Sequence, residues 1–140
     1  RWPDPTCDIG KQEFTYAIYP HQGSWQEAKT VQKARELNIP LQVVITDNKK
    51  NNKGTLPPVF SGLNIPAENL IISALKPAEE EGKDNYILRC YECEGKAATM
   101  EIESDLNLKL GQGRNLLEEA TNDEQKIQPW KIVTFDLKKE

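Results

Sequence analysis

Few residues in this 140-residue sequence could perform chemistry, and they are scattered. The sequence has one histidine, His21, in a loop between Pro20 and Gly23. A zinc site or a Ser-His-Asp triad within the chain would have to use that single imidazole, so the sequence predicts no His-based metal cluster. We expect His21 to be a loop or interface residue, with a catalytic or ligand role as the alternative.

Three cysteines, Cys7, Cys90 and Cys93, are an odd number and define no disulfide framework. Cys90 and Cys93 form a C-x-x-C pair, but the surrounding residues have the pattern of a strand, which would place the two thiols on opposite faces. We interpret them as small residues that fill a sheet, because no second Cys or His pair completes a ligand set. Free cysteines favour a reducing compartment, so we expect a cytoplasmic protein.

The carboxylate clusters, at 79–81 and 118–119, lie in predicted turns and lack the apolar surroundings that separate a general acid from a base. The glycines at 111 and 113 lack the remaining spacing of a phosphate-binding loop. The sequence therefore predicts no catalytic site and no metal site within the chain itself.

Charge and hydropathy exclude two further classes of partner. Eighteen Lys and Arg against 22 Asp and Glu give a net charge of -4 without a basic block, so we expect no nucleic-acid partner. Hydrophobic residues make up 37% of the chain, and no apolar run approaches the roughly 20 residues that span a bilayer. We also find no secretory signal, and we interpret the start at Arg1 as that of a processed or truncated piece.

The first 45 residues predict two strands around one helix. Residues 12–19 alternate apolar and polar side chains and stop at Pro20, which is typical of a strand with one buried face. Ser24-Trp25-Gln26-Glu27 matches a capping box and predicts a helix from about Trp25 to Leu37, ended by Asn38 and Pro40. Residues 41–45 form a short apolar run suited to a buried strand, followed by a polar loop.

From about Asn64 the pattern changes to short strands separated by turns, which indicates a β-sandwich. We predict strands at 70–75, 86–93, 98–102, 106–110 and 130–137, with a hairpin turn at 94–96. The predicted fold is therefore mainly β, an antiparallel β-sandwich with one helix near the N-terminus. We place the domains at 1–63, the tail of a preceding β-rich domain that includes the helix, and at 64–140, a C-terminal β-sandwich.

Five segments, in order, resemble the α-mannosidases of glycoside hydrolase family 38. Pro3 to Gly10 and the following Glu13 to His21 are similar to the family's P-D-x-x-A-D-x-G and H-x-F-T-Y-A-L-Y-P-H patterns, except that Cys7 replaces Ala and Gln12 replaces His. The other four segments resemble A-x-x-L-N-x-P-L, A-L-K-x-A-E, L-R-x-Y-E-x-x-G and P-x-E-I-x-T-F-x-L, at 34–41, 74–79, 88–95 and 129–137.

The resemblance implies a place at the extreme C-terminus of such an enzyme, in its β-rich region. It implies that the parent is a glycosidase, a retaining hydrolase of α-mannosides in carbohydrate metabolism, whose catalytic aspartate and zinc ligands lie in an N-terminal domain. The partner of this region would then be the catalytic domain of the same chain, which binds the mannoside. The region itself would be inactive and would hold no cofactor.

Other interpretations stay open. A carbohydrate-binding module would present exposed aromatic rings, and the residues to check are Trp2, Trp25 and Trp130, although we expect Trp25 and Trp130 in the core. A protein-interaction or homo-oligomer-forming domain is also compatible with a sandwich. We further expect exposed apolar surface near Phe14 to Ile18, or its coverage by a second copy.

The candidate site groups Arg1, Asp4, Asp8 and His21, which cluster around the most distinctive motif in loops beside a predicted strand. In the parent enzyme these residues would lie near the substrate, at the edge that faces the catalytic domain. The alternative is that Asp4 and Asp8 cap turns and that His21 fixes the strand-to-helix turn.

Overall fold

Six short strands follow one helix along the part of the chain that the computed structural model describes, which is residues 7, 9–45, 57–79 and 85–139. The elements are α1 (Thr30–Asn38), β1 (Leu70–Pro77), β2 (Asn85–Glu92), β3 (Ala98–Thr99), β4 (Leu108–Arg114), β5 (Lys126–Ile127) and β6 (Ile132–Lys139). All strand pairs are antiparallel. The predicted fold class, mainly β with one helix near the N-terminus, is confirmed. Within the described residues, no helix has the length and apolar character needed to cross a membrane.

The main sheet has the strand order β1-β2-β6-β4, and β3 pairs with β5 in a second, two-stranded sheet. The central strands β2 and β6 pair with Leu88 opposite Phe135 and Cys90 opposite Val133. Because β6 lies between β2 and β4, both of its edges are hydrogen-bonded, and the five residues from Val133 to Leu137 are all buried.

The core lies between the two sheets. Leu88, Phe135 and Leu137 of the main sheet pack with Met100 and with Ile127 of β5, and all five are at most 1% exposed. This two-layer arrangement buries one face of the main sheet, as a sandwich does. The predicted strands at 70–75, 86–93, 98–102, 106–110 and 130–137 therefore all correspond to observed strands, with shifted or shortened ends.

Three details of the second half differ from the prediction. The turn at 94–96 does not join a hairpin, because β2 pairs with β1 and β6 whereas β3 pairs with β5. The strand β5 has two residues, too few for a period-2 pattern to be recognised. The predicted last strand includes Trp130, but β6 begins at Ile132 because Trp130 has a left-handed backbone with φ +62°.

The predicted helix is interrupted. The capping box forms as expected, with Ser24 N–H donating to Glu27 Oε2 at 2.7 Å and Glu27 N–H donating to Ser24 Oγ at 3.2 Å. The turn then ends at Lys29, which has φ 52° and ψ 42°, while Thr30 N–H bonds to Trp25 O and Lys29 N–H bonds to Gln26 O. These two bonds define a Schellman motif, so α1 starts only at Thr30 and ends, as predicted, at Asn38.

The two strands predicted near the N-terminus are wrong for this structure. Residues 12–19 and 41–45 form no strand, and their apolar side chains are exposed, with Ile18 89% and Leu41 98% exposed. The alternation is present in the sequence, but no other described segment pairs with either one, so neither has a ladder or a covered face. The expected exposed apolar surface from Phe14 to Ile18 is present.

Candidate functional site

One of the four predicted site residues, His21, lies in the described part of the chain. Arg1, Asp4 and Asp8 lie outside the described residues, so their position relative to His21 stays a prediction. His21 is exposed, its ring centroid is 5.6 Å from that of Tyr19, and its Nδ1 lies 3.4 Å from the carbonyl oxygen of Gln22.

A tight turn of residues 19–28, which we call the His21 turn, fixes this histidine. The Tyr19 hydroxyl donates to the Ala28 carbonyl at 3.1 Å and thereby joins the two ends of the turn. At its centre, Gly23 has φ +73°, and a Cβ at this position would lie 2.5 Å from Glu27 Oε2. The amide and hydroxyl of Ser24 both donate to the Glu27 carboxylate and lower its pKa. Glycine is therefore required next to the capping box.

Two partly exposed indoles connect this turn to the sandwich. Trp25 is 38% exposed and Trp130 is 62% exposed, with ring centroids 6.5 Å apart and planes inclined by 31°. The expectation that both lie in the core is wrong, because Trp130 precedes β6 and Trp25 precedes α1 instead of lying on a periodic face. Their geometry is within the range of attractive aromatic pairs.

The sequence does not predict the carboxylate that is buried at the end of β2. Glu92 is 2% exposed and accepts hydrogen bonds from four donors within 2.9 Å, and we call this group the Glu92 cluster. The donors are the Asn69 side-chain amide and the backbone N–H groups of Glu94, Gly95 and Trp130. Burial by itself would raise the pKa of Glu92, but hydrogen bonds led by that from Trp130 lower it to about 2.

The Glu92 cluster holds two residues with left-handed backbones. Gly95 has φ +76°, and a Cβ added to it would lie 2.5 Å from Cζ2 of the Trp130 indole. Trp130 itself has φ +62°, a conformation that costs a bulky L-residue on the order of 1 to 3 kcal/mol. The charge-assisted bond from its N–H to Glu92 Oε2, at 2.9 Å, helps to offset this cost. A motif Y-E-x-x-G could have signalled the cluster, since the carboxylate accepts from the residues two and three positions later.

A second polar group lies on the opposite face of β6. Arg114 Nη2 is 2.8 Å from Asp136 Oδ2, and Asp136 is 1% exposed. Arg114 also borders a cavity of about 200 Å³, where Lys76 Nζ contacts both Glu79 and Glu118. One glutamate from each predicted acidic cluster, Glu79 and Glu118, thus contacts the same lysine, and the hydrogen bond from Lys76 lowers the pKa of Glu118. A carboxylate held ionised by a lysine is suited to an ion pair and not to general acid catalysis.

The cysteine pair is buried and protonated. Cys90 belongs to the core and is 0% exposed, and burial raises the pKa of its thiol to about 12. Burial, with Glu94 and Glu92 nearby, also raises the pKa of Cys93, which follows β2. Thiols that stay protonated at neutral pH are poor nucleophiles and poor metal ligands, so both act here as packing residues.

Comparisons with known proteins agree with the sequence motifs. Residues 69–135 match the family model "Glycosyl hydrolases family 38 C-terminal beta sandwich domain". The chain is 33% identical to alpha-mannosidase G of Dictyostelium discoideum over 95% of its length, and 31% identical to alpha-mannosidase 2C1 of Mus musculus over 84%. An alpha-mannosidase of Saccharomyces cerevisiae is 28% identical over 96% of the chain. The chain spans 13%, 11% and 14% of the length of these relatives.

The Glu92 cluster predicts an acid-sensitive fold. Since the pKa of Glu92 is lowered to about 2, its stabilisation is fully present above the ordinary value of 4.5 and is lost as the pH falls toward 2. Those 2.5 pKa units correspond to about 3 kcal/mol. Glu92→Gln turns an amide NH₂ toward backbone donors, so we expect it to reduce the free energy of unfolding at pH 7 by about 2 to 4 kcal/mol.

Urea unfolding at several pH values checks this prediction, with the exposed Glu101→Gln as the matched control. The Glu92 variant should lose the corresponding part of the pH dependence between 4.5 and 2, and the control should retain it. The same pH dependence in Glu92→Gln and in the unaltered chain would contradict the assignment.

Proposed function

This chain belongs to glycosyl hydrolase family 38 through its C-terminal β-sandwich domain, and we propose that it is a non-catalytic C-terminal part of an α-mannosidase. The longer enzyme hydrolyses terminal α-mannosides in carbohydrate metabolism, and this part supports its catalytic domain. The observation that favours this role is a contrast within the chain. The sandwich buries its apolar side chains in its own core, whereas residues 12–19 and 41–45 leave their apolar side chains exposed.

The sandwich provides a rigid support. Its core residues come from both sheets, and the β2 and β6 strands are held by seven paired positions from Asn85 to Tyr91. Central strands that pair on both edges and contribute to the core resist local opening more than edges and loops do. A surface on this scaffold can therefore keep a fixed orientation toward a neighbouring domain.

The two unpaired segments supply the contact with that domain. Residues 12–19 place Phe14, Tyr16 and Ile18 on one face of an alternating pattern, and each of these side chains is more than 80% exposed. Residues 41–45 expose Leu41, Val43, Val44 and Ile45 to between 80% and 98%. Contiguous exposed apolar residues with strand periodicity are suited to strand addition at the edge of another sheet. We assign that sheet to the preceding part of the same parent chain, with a second copy of the chain as the alternative.

The His21 turn lies between these segments along the chain, next to the proposed domain contact. We propose that Arg1, Asp4, Asp8 and His21 form the edge of this part that faces the mannoside cleft. An exposed imidazole held by a glycine turn can donate or accept a hydrogen bond with a sugar hydroxyl without a change of backbone.

Zinc, which the family resemblance implies for the whole enzyme, does not fit the residues described here. No three His, Cys, Asp or Glu side chains among the described residues come together as a metal site. The thiols of Cys90 and Cys93 are buried with raised pKa values, which opposes the thiolate form that zinc requires. We therefore assign the zinc ion to the catalytic domain and derive no step through it.

The compartment in this proposal is the cytoplasm. Cys7, Cys90 and Cys93 are all free thiols, and Cys7 is exposed. Three cysteines that form no disulfide, one of them exposed, are typical of a protein from a reducing environment.

A stand-alone carbohydrate-binding module is the second candidate, and the exposure of Trp130 beside Trp25 favours it. The apolar face of a pyranose ring stacks on such indoles in sugar-binding proteins. Saturable quenching of tryptophan fluorescence by methyl α-mannoside in the 140-residue chain alone would favour this candidate over the supporting role.

The proposed function predicts that the 140-residue chain alone has no α-mannosidase activity. The reason is that Glu79 and Glu118, the carboxylates that meet at the cavity of about 200 Å³, are both paired with Lys76, and the lowered pKa of Glu118 opposes a role as general acid. Release of nitrophenol from p-nitrophenyl α-mannoside should equal the buffer rate, with or without added zinc. Turnover that copurifies with the folded chain and disappears in His21→Ala would overturn the proposal.

The domain contact predicts that Ile18 matters only in the longer enzyme. Because Ile18 is 89% exposed here, Ile18→Ser should change the stability of the 140-residue chain by less than about 0.5 kcal/mol. In the longer enzyme the same change should cost about 1.5 to 3 kcal/mol, the value of a buried isoleucine. Thermal unfolding of both proteins measures the difference.

The matched control is Ala17→Ser, the neighbouring position on the opposite face of the alternating pattern, which should have little effect in either protein. Equal effects of Ile18→Ser in the two proteins would contradict the contact.

The cleft assignment predicts that His21→Ala and Asp8→Asn lower kcat/KM of the longer enzyme. A lost hydrogen bond to substrate costs about 1 to 3 kcal/mol in transition-state binding, or roughly 5- to 150-fold. The adjacent Gln22→Ala is the control, and the melting temperature of each variant reports folding. Unchanged kcat/KM per folded molecule in both variants would assign this edge to the scaffold.

A further inference from the structure

Trp130 joins the buried end of β2 to the His21 turn, and we propose that it is the positioning residue that sets the orientation of this turn on the sandwich. The inference rests on the proposed function only for what the His21 turn does in the enzyme. The positioning itself follows from a continuous series of contacts from Glu92 to His21.

The first contact fixes the backbone of Trp130. Its N–H donates to Glu92 Oε2 at 2.9 Å, and the same oxygen accepts the N–H of Gly95 at 2.9 Å. Trp130 has φ +62°, which a bulky side chain rarely adopts unless its surroundings require it. A strained conformation that is held by a hydrogen bond to a buried carboxylate is an indication that the direction of this side chain matters.

The second contact fixes the indole. It approaches Gly95 so closely that a Cβ there would lie 2.5 Å from indole Cζ2. Its ring centroid is 6.5 Å from that of Trp25. The absence of a side chain at Gly95 therefore allows the indole to lie close to the 94–96 turn while it also lies near Trp25.

The remaining contacts lead from Trp25 to His21. Trp25 is the first residue of the capping-box turn, and its carbonyl accepts the N–H of Thr30 at 3.0 Å. Tyr19 bonds through its hydroxyl to the carbonyl of Ala28 in the same turn, and its ring lies 5.6 Å from the ring of His21. A rotation of Trp25 would therefore move the turn as a unit, with the imidazole at its end.

The other connections between this region and the sandwich are exposed charge interactions or contacts of α1. Lys96 of the 94–96 turn attracts the Glu27 carboxylate, which is exposed to solvent. Lys29 Nζ pairs with Glu68 Oε1 at 2.5 Å, but both side chains are substantially exposed, and such pairs contribute little. Gln32 Nε2 donates to the Glu68 carbonyl at 2.6 Å, but this bond anchors α1. The left-handed residue Lys29 separates α1 from the His21 turn.

The test is Trp130→Gly in the full 140-residue chain, observed by NMR. Glycine adopts positive φ freely and keeps the N–H that Glu92 accepts, so this variant removes the indole and leaves the Glu92 cluster. As the chain has one histidine, its imidazole gives a single, assignable set of ring resonances. We expect these resonances to move toward their unfolded-peptide positions and the amides of Ala28 and Thr30 to exchange at least tenfold faster.

Two further variants make the result decisive. Trp25→Ala should reproduce both changes while Trp130 stays in place, and it decides the question if Trp130→Gly fails to fold. Ile132→Ala, exposed to the same 62% as Trp130, is the control and should change neither readout. Unchanged His21 resonances and amide exchange in both tryptophan variants would overturn the proposal.

The NMR readouts do not depend on catalysis, so the two proposals can fail separately. If the longer enzyme shows no dependence on His21, the cleft assignment fails and the positioning by Trp130 stands. If the NMR signals are unchanged, the positioning fails whatever the enzyme assay gives.

Discussion

The burial of one carboxylate is the constraint on which much of this structure depends. Glu92 is 2% exposed, and a buried carboxylate without donors would be costly enough to unfold a small domain. Its donors come from three separate segments, at Asn69 before β1, at the turn after β2 and at Trp130 before β6. Satisfying this single group therefore brings together the ends of the three neighbouring strands and fixes where β6 can begin.

The main sheet has one face in the core and a second face that also holds buried polar groups. Alternate residues of β6, such as Phe135, point into the core between the sheets, whereas Thr134 and Asp136 lie on the other face and are also buried. There Arg89 donates to the Thr134 hydroxyl at 3.1 Å, and Arg114 pairs with Asp136. Gly111 is required opposite this pair, because a Cβ there would overlap the Asp136 carboxylate. A central strand with two buried faces thus uses hydrogen-bonded polar groups where the core does not reach.

The sequence predicted the sandwich well because its strands pair with one another within the chain, so period-2 alternation and burial largely agree in β1 and β2, whereas β6 is buried over five consecutive residues. The strand prediction failed for residues 12–19 and 41–45. An alternating pattern shows that one face of a segment could be buried, but it does not show that a second strand is present to pair with the segment. The helix prediction misplaced the start of the helix because a capping box also begins a single turn, and Lys29 in the left-handed conformation carries no sequence signal comparable to glycine. Glu92 was missed because a glutamate in a strand is usually assigned to the surface.

The candidate site lies between the self-contained sandwich and the exposed N-terminal segments. The residues after Asn64 are stabilised by contacts within the chain, whereas the apolar side chains of Phe14 to Ile18 and Leu41 to Ile45 are exposed. The His21 turn follows the first exposed segment and is held to the sandwich through Trp25 and Trp130. Strand addition by residues 12–19 would fix the start of this turn relative to a neighbouring domain, and the indole pair holds the turn to the sandwich, so both contacts together would orient His21 toward that domain. Domain docking could assemble a site at this junction without any rearrangement of the sandwich. A rigid sandwich and exposed, unpaired N-terminal segments are therefore compatible within one short chain.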